Sequence, residues 1–171
     1  MEAFHALLRL KNGGAQGMVK RFYPNQPVVG VGAIIICDGK ILLEKRRGEP
    51  GKGKWSVPGG LVELGETTVE AVIREVKEET GLDVAEPELI DVVDNVVRDE
   101  NGEIKWHFVI IDYFVKTKGG ELRAGDDAEE LRWVPLAEAE KYDLTKTFRS
   151  FLQRKRALLE KLDSRLQPGC P

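Results

Sequence analysis

Apolar residues crowd into one run over residues 28–37, VVGVGAIIIC, and another within 40–47, KILLEKRR, with Asp38-Gly39 between them. Both runs are short and rich in branched side chains, and Asp-Gly supplies the positive φ angles of a two-residue turn. The pattern predicts a β-hairpin. GEPGKGKWSVPGG follows, a composition of breakers and lysines that suits an irregular loop. From residue 67 to 80 the period becomes helical. Thr67 with Glu70 three positions on fits a capping box, and Gly81 stands where a C′ glycine ends a helix. Val69, Val72, Ile73 and Val76 fall on one stripe of that helix, which is predicted to face a sheet. Two further strand-like runs, ELIDVVDNVVRDE and EIKWHFVIIDYFVKT, flank Asn101-Gly102, a second hairpin turn. A charged loop over 118–130 leads into a short strand, LRWVP. From about residue 145 to 166, Phe148, Phe151, Leu152, Leu159, Leu162 and Leu166 recur at helical spacing, a stripe best read as core packing.

Strands before and after a central helix, with hairpins among them, predict an α/β fold: a mixed sheet with helices on its faces. Residues 1–27 carry Gly13, Gly14, Gly17, Pro24 and Pro27 without periodicity and read as an N-terminal appendage to a single domain over 28–171. A length of 171 residues suits one domain. The 42% hydrophobic content is too high for a disordered chain. Lys and Arg total 26 against 29 Asp and Glu, so a net charge of −3 argues against bulk capture of nucleic acid. It leaves room for a small phosphate-bearing ligand held by local groups. Cys37 and Cys170 form neither a disulfide framework nor a zinc spacing, which makes a reducing cytoplasm the expectation. The N-terminus has no long apolar stretch, and the longest apolar run is about half a membrane span, so no membrane partner is expected.

Candidate chemistry concentrates on the central helix. Glu75, Glu78 and Glu79, at i, i+3 and i+4, share a stripe. Like charges at such spacing cost a few tenths of a kcal/mol per pair, roughly. Taken alone, an acidic helix face is usually just solvated. The other reading is a hard-cation site, because several carboxylate oxygens on a rigid helix suit Mg²⁺ or Mn²⁺.

The surroundings decide between the two. Gly60, five residues, Glu66, seven residues, then Arg74-Glu75-Val76-x-Glu78-Glu79-x-Gly81-Leu82 meets every fixed position of the Nudix box. At background frequencies of about 7% per residue, seven fixed positions match by chance roughly once in 10⁸ tries. The chain thus resembles the Nudix hydrolases, the MutT-like family. That resemblance implies a Nudix fold, an α/β/α sandwich with a mixed central sheet, in which the box at 60–82 forms a loop, helix and loop. It implies that Glu75, Glu78 and Glu79 bind catalytic Mg²⁺, with Mn²⁺ a possible substitute, and that the Gly60 carbonyl joins them. Glu66 and Arg74 take supporting positions as an orienting ion pair. The implied reaction is attack of water at phosphorus in a nucleoside diphosphate derivative, for which two cations about 4 Å apart supply charge neutralisation and an activated water.

Outside the box, the resemblance points to a later acid as the base. Asp127, six residues before Trp133, takes that place beside Glu78 and Glu79 as a candidate catalytic residue; Asp126, Glu129 and Glu130 are rivals. Arg46 and Arg47 are candidates to hold phosphate oxygens. Trp55 is a candidate to stack on a base, although an aromatic beside Pro58 is more often packing. Glu63 and His107 have ordinary surface or neighbour readings. The pattern over residues 28–135 resembles compact prokaryotic Nudix proteins labelled ADP-ribose pyrophosphatases, which implies ADP-ribose cleaved to AMP and ribose 5-phosphate. The alternatives are an (oxidised) nucleoside triphosphate pyrophosphatase and a non-catalytic nucleotide-sensing module. A homodimer through the N-terminal segment or last helix stands beside a monomer.

Overall fold

The computed structural model describes residues 20–126 and 128–163. Its elements in chain order are β1 (Val28–Ile34), β2 (Ile36–Cys37), β3 (Lys40–Arg46), β4 (Trp55–Ser56), α1 (Thr68–Thr80), β5 (Leu82–Arg98), β6 (Ile104–Gly120), β7 (Ala128–Pro135) and α2 (Lys146–Asp163). A 3₁₀ helix, Leu136–Lys141, precedes α2.

Two sheets result. In the first, β5 and β6 form a long antiparallel hairpin and β1 adds to β6 in parallel, giving the order β1-β6-β5. In the second, β3 pairs along its length with β7, while β2 and β4 share its other side. Asp38 and Gly39 do adopt positive φ angles of 47° and 74°. The predicted hairpin is nevertheless much shorter than the sequence suggested, since its first arm is only β2. β1 leaves for the other sheet. The cause lies in its residues: Val31 and Ala33 are buried on one face and Ile34 on the other, and a near-continuous apolar run of that kind suits a parallel strand covered on both faces. β6 also runs on to Gly120 and β7 starts at Ala128, so the charged loop is shorter than expected.

The free edge of β1 is covered by the stretch 58–62. Ala33 N–H donates to the Pro58 carbonyl at 2.8 Å, Val31 N–H to Gly60 at 2.9 Å, and Val62 N–H to Val29 at 3.2 Å. A side chain at Gly59 would collide with the Val31 carbonyl, so glycine is what allows this approach.

α1 has the predicted caps. Thr67 Oγ1 accepts from Glu70 N–H at 3.2 Å, Glu70 Oε2 accepts from Thr67 N–H at 2.8 Å, and Gly81 closes the helix at φ 74°. Replacing Thr67 by alanine is expected to cost about 1 kcal/mol, read as a lower urea midpoint. The buried stripe is the predicted one in part, at Val72 and Val76. Ala71, Val72, Val76, Glu79 and Thr80 face inward, whereas Val69 and Ile73 are 40% and 36% exposed. The helix is turned so that its Glu79 side meets the sheets, and Val31, Ala33 and Leu42 pack there.

On the opposite face, Phe148, Phe151, Leu152, Leu159 and Leu162 of α2 pack on Ile34, Ile41, Leu43 and Phe114. The molecule is therefore an α/β/α sandwich. Leu166, the last residue of the expected stripe, lies outside the described residues, as do residues 1–19. From the end of the appendage, Tyr23 O–H donates to Asp99 at 2.8 Å and Phe22 packs edge-on against Trp106. Cys37 is disulfide-bonded, contrary to the reading of the cysteines, and Cys170 lies outside the described residues. Cysteine usage thus gives no support to a reducing compartment. No described helix is long and apolar enough to cross a membrane.

Asp112 of β6 is buried beneath α2, its carboxyl lying where a side chain on Gly32 would stand. Burial pushes its pKa up to about 7; Asp91 adds to the rise and Arg154 opposes it. The unfolded value is near 4, so the folded state binds this proton more tightly. The resulting stabilisation is complete at low pH and is lost as pH rises through about 7. Asp112→Asn is expected to shrink the stability difference between pH 5 and pH 8 by about 2–3 kcal/mol, measured by urea denaturation at both pH values.

Candidate active site

The strip along β1 brings the glycines of the box to the start of the site. Gly59 N–H donates to Glu79 Oε2 at 2.7 Å. At Gly60 a Cβ would collide with the Glu75 carboxylate, so the missing side chain leaves the cradle in which that carboxylate lies. The Gly60 carbonyl already accepts the Val31 N–H, leaving one lone pair for any ligand.

Arg74 organises the acids around it. Its Nε and Nη2 grip both oxygens of Glu66 at 2.8 and 2.9 Å, and Nη2 also donates to the Leu61 carbonyl at 2.9 Å. Nη1 donates to Glu75 at 2.9 Å and to Glu78 at 3.3 Å. Hydrogen bonding from Arg74 holds Glu66 below the usual carboxylate range, and Glu66 in turn raises the pKa of Arg74. The pair ties the loop before α1 to the helix, as the sequence suggested.

The three glutamates of α1 occupy different environments. Glu78 is 62% exposed, while Glu79 is only 8% exposed. Burial pushes Glu79 well above the carboxylate range, and the neighbouring Glu44 carboxyl, which is hydrogen-bonded to it, pushes further. Glu44 was missed by sequence reasoning. It is 4% exposed, in β3, and faces α1. Ile41, Leu42 and Leu43 before it are all buried, so no alternation marked the inward positions.

The loop before β7 lies across the end of α1. Arg123 N–H donates to the Thr80 carbonyl and Gly125 N–H to the Glu79 carbonyl, each at 2.9 Å. Asp127 lies outside the described residues. Asp126 follows Gly125, whose backbone lies against that of Glu78 and Glu79. Its rivals are engaged elsewhere: Glu129 accepts from Lys45 at 2.7 Å, and Glu130 pairs with Arg132.

Arg46 Nε donates to the Pro50 carbonyl at 3.0 Å and Arg47 Nη2 to the Ala128 carbonyl at 3.1 Å, so both brace loops at the rim. Trp55 is not placed to stack on a base. It is buried in the α2-side core, with Tyr142 edge-on at 5.5 Å and the Arg132 guanidinium 5.1 Å above its ring. Glu63 is exposed, its N–H donating to Glu66, and His107 lies toward the hairpin end of β6 opposite Val96.

Among the described residues no three His, Cys, Asp or Glu side chains converge into a finished metal cage. Arg74 draws Glu75 and Glu78 to itself, and Glu79 is turned to Gly59. The donor set still fits a hard divalent cation: the groups are carboxylate oxygens from a rigid helix and strand, with exposed Glu78 at the mouth.

A model of the Nudix domain matches residues 26–155. The chain is 43% identical over 131 residues to the ADP-ribose pyrophosphatase of Methanocaldococcus jannaschii, covering 75% of each protein. Among solved structures, the MutT Nudix hydrolase of Burkholderia pseudomallei is 38% identical, with a TM-score of 0.64 over 75% of this chain and 98% of that one. The Nudix domain of Shewanella oneidensis NrtR, solved with ADP-ribose, is 22% identical and shares the fold at a TM-score of 0.66 over 93% of this chain and 99% of that one. Sequence, fold and the box on its capped helix agree, and the chain belongs to the Nudix hydrolase family.

Proposed function

We propose that this Nudix pyrophosphohydrolase uses Mg²⁺ to cleave ADP-ribose into AMP and ribose 5-phosphate, through a catalytic domain spanning residues 28–171. The observation that carries the substrate is the 43% identity to the M. jannaschii ADP-ribose pyrophosphatase. Bound divalent cations supply charge neutralisation at the phosphoryl oxygens and an acidified water. Glu75, Glu78 and Glu79 would hold them, with the remaining lone pair of the Gly60 carbonyl available beside Glu75. Arg74, fixed by Glu66, orients Glu75 and Glu78, the latter by its longer bond at 3.3 Å. Asp127, two residues after Gly125 in sequence, acts as base. Arg46 and Arg47 shape the phosphate side, and Trp55 drops out of the substrate set because it is buried.

The test is purified protein with Mg²⁺ and a panel of ADP-ribose, NADH, dinucleoside polyphosphates and (oxidised) (d)NTPs, read as kcat/KM. ADP-ribose is expected to lead, yielding AMP. Preference for a triphosphate would overturn the substrate, and no product from any compound would favour a nucleotide sensor.

A further inference from the structure

Resting on the reading of the α1 glutamates as cation ligands, we propose that Glu44 of β3 is a further carboxylate of that site. It closes the site from the sheet side, so one divalent cation is held between β3 and α1 before nucleotide arrives.

The argument begins with placement. β3 has partners on both sides, and in register Glu44 lies between Ser56 of β4 and Leu131 of β7. A side chain there is held as firmly as the fold can hold one. Packing gives no reason for an acid at this point, because a leucine would continue the apolar run Ile41–Leu43 without the desolvation penalty of a carboxyl. The penalty is doubled here, since Glu44 touches Glu79, itself buried. Two buried carboxyls in contact can both carry charge only when something positive lies between or beside them.

Arg74 does not fill that role. Its hydrogen bonds end on Glu66, Glu75, Glu78 and the Leu61 carbonyl, none on Glu44 or Glu79. The Gly59 N–H reaches Glu79 from the loop and fixes its rotamer. A cation seated against Glu44 and Glu79 would turn the carboxyl–carboxyl contact into two charge-assisted bonds. It would also join helix to strand, which exposed Glu78 cannot do from the rim.

The experiment compares wild type with Glu44→Gln, Glu44→Leu and Glu79→Gln. Mn²⁺ binding is measured by calorimetry without nucleotide, and melting is followed in EDTA and in Mn²⁺. Both Glu44 variants are expected to weaken Mn²⁺ binding about 10-fold or more and to lose most of the rise in Tm that Mn²⁺ gives wild type. In EDTA Glu44→Leu is expected to melt no lower than wild type, because a desolvated carboxyl is gone from the interior. A merely structural glutamate would show neither effect. Mn²⁺ binding within about twofold of wild type in both variants overturns the proposal. If Glu79→Gln still loses binding in that case, the reading of α1 survives; if it too binds as wild type, that reading falls as well.

Discussion

Glu79→Gln is expected to lower kcat on ADP-ribose about 100-fold or more while leaving the fold intact. Glutamine has the same shape and can still accept the Gly59 N–H, so the loop should stay where it is. What it loses is the negative charge that a cation needs at the most buried of the α1 glutamates. A glutamine amide can still donate to the Glu44 carboxyl that Glu79 contacts, so the variant should melt no lower than wild type in EDTA. Loss of activity with unimpaired apo stability separates a role in catalysis from one in folding. Near-normal kcat would refute the assignment of the site.

The second large effect has the opposite character. Arg74→Ala is expected to cost about 3–5 kcal/mol of stability, because it removes the guanidinium that both Glu66 and Glu75, largely buried, are paired with. It also cuts the hydrogen bond to the Leu61 carbonyl, one of the ties between the box loop and α1. Arg74→Lys should recover only part of the loss, since an ammonium cannot reproduce the two parallel bonds to Glu66. Urea denaturation in EDTA is the measurement, so that bound cations do not compensate Glu75. A cost below about 1 kcal/mol would mean that these acids relax into solvent and that Arg74 does not organise the site.

What was legible in the sequence was local or carried by the box. The caps of α1 involve residues three or four apart, and both formed as the pattern predicted. The Glu66–Arg74 pair was also anticipated, but only through the resemblance, since periodicity cannot join a loop residue to one on a helix. Features that depend on distant partners were not legible. Trp55 is buried by Tyr142 and Arg132, more than seventy residues away in sequence. The Asp38-Gly39 turn points β1 toward a hairpin, whereas its partner β6 begins at Ile104, far along the chain. Glu44 was invisible for a further reason. A strand buried on both faces has no polar–apolar alternation, and a single acid at its end reads as the first exposed residue. On α1 the apolar and acidic stripes overlap, and periodicity does not say that the buried face takes in Glu79 in place of Val69 and Ile73.

The strip at 58–62 has a consequence for solubility as well as for chemistry. An unpaired strand edge offers a template on which other chains can grow. Here the backbone of the box loop occupies the outer edge of β1, taking up the Val31 and Ala33 N–H groups that would otherwise recruit a foreign strand. The segment that presents the Gly59 amide to Glu79 is therefore also a guard against aggregation. Selection for turnover and selection against self-association act on the same few backbone atoms.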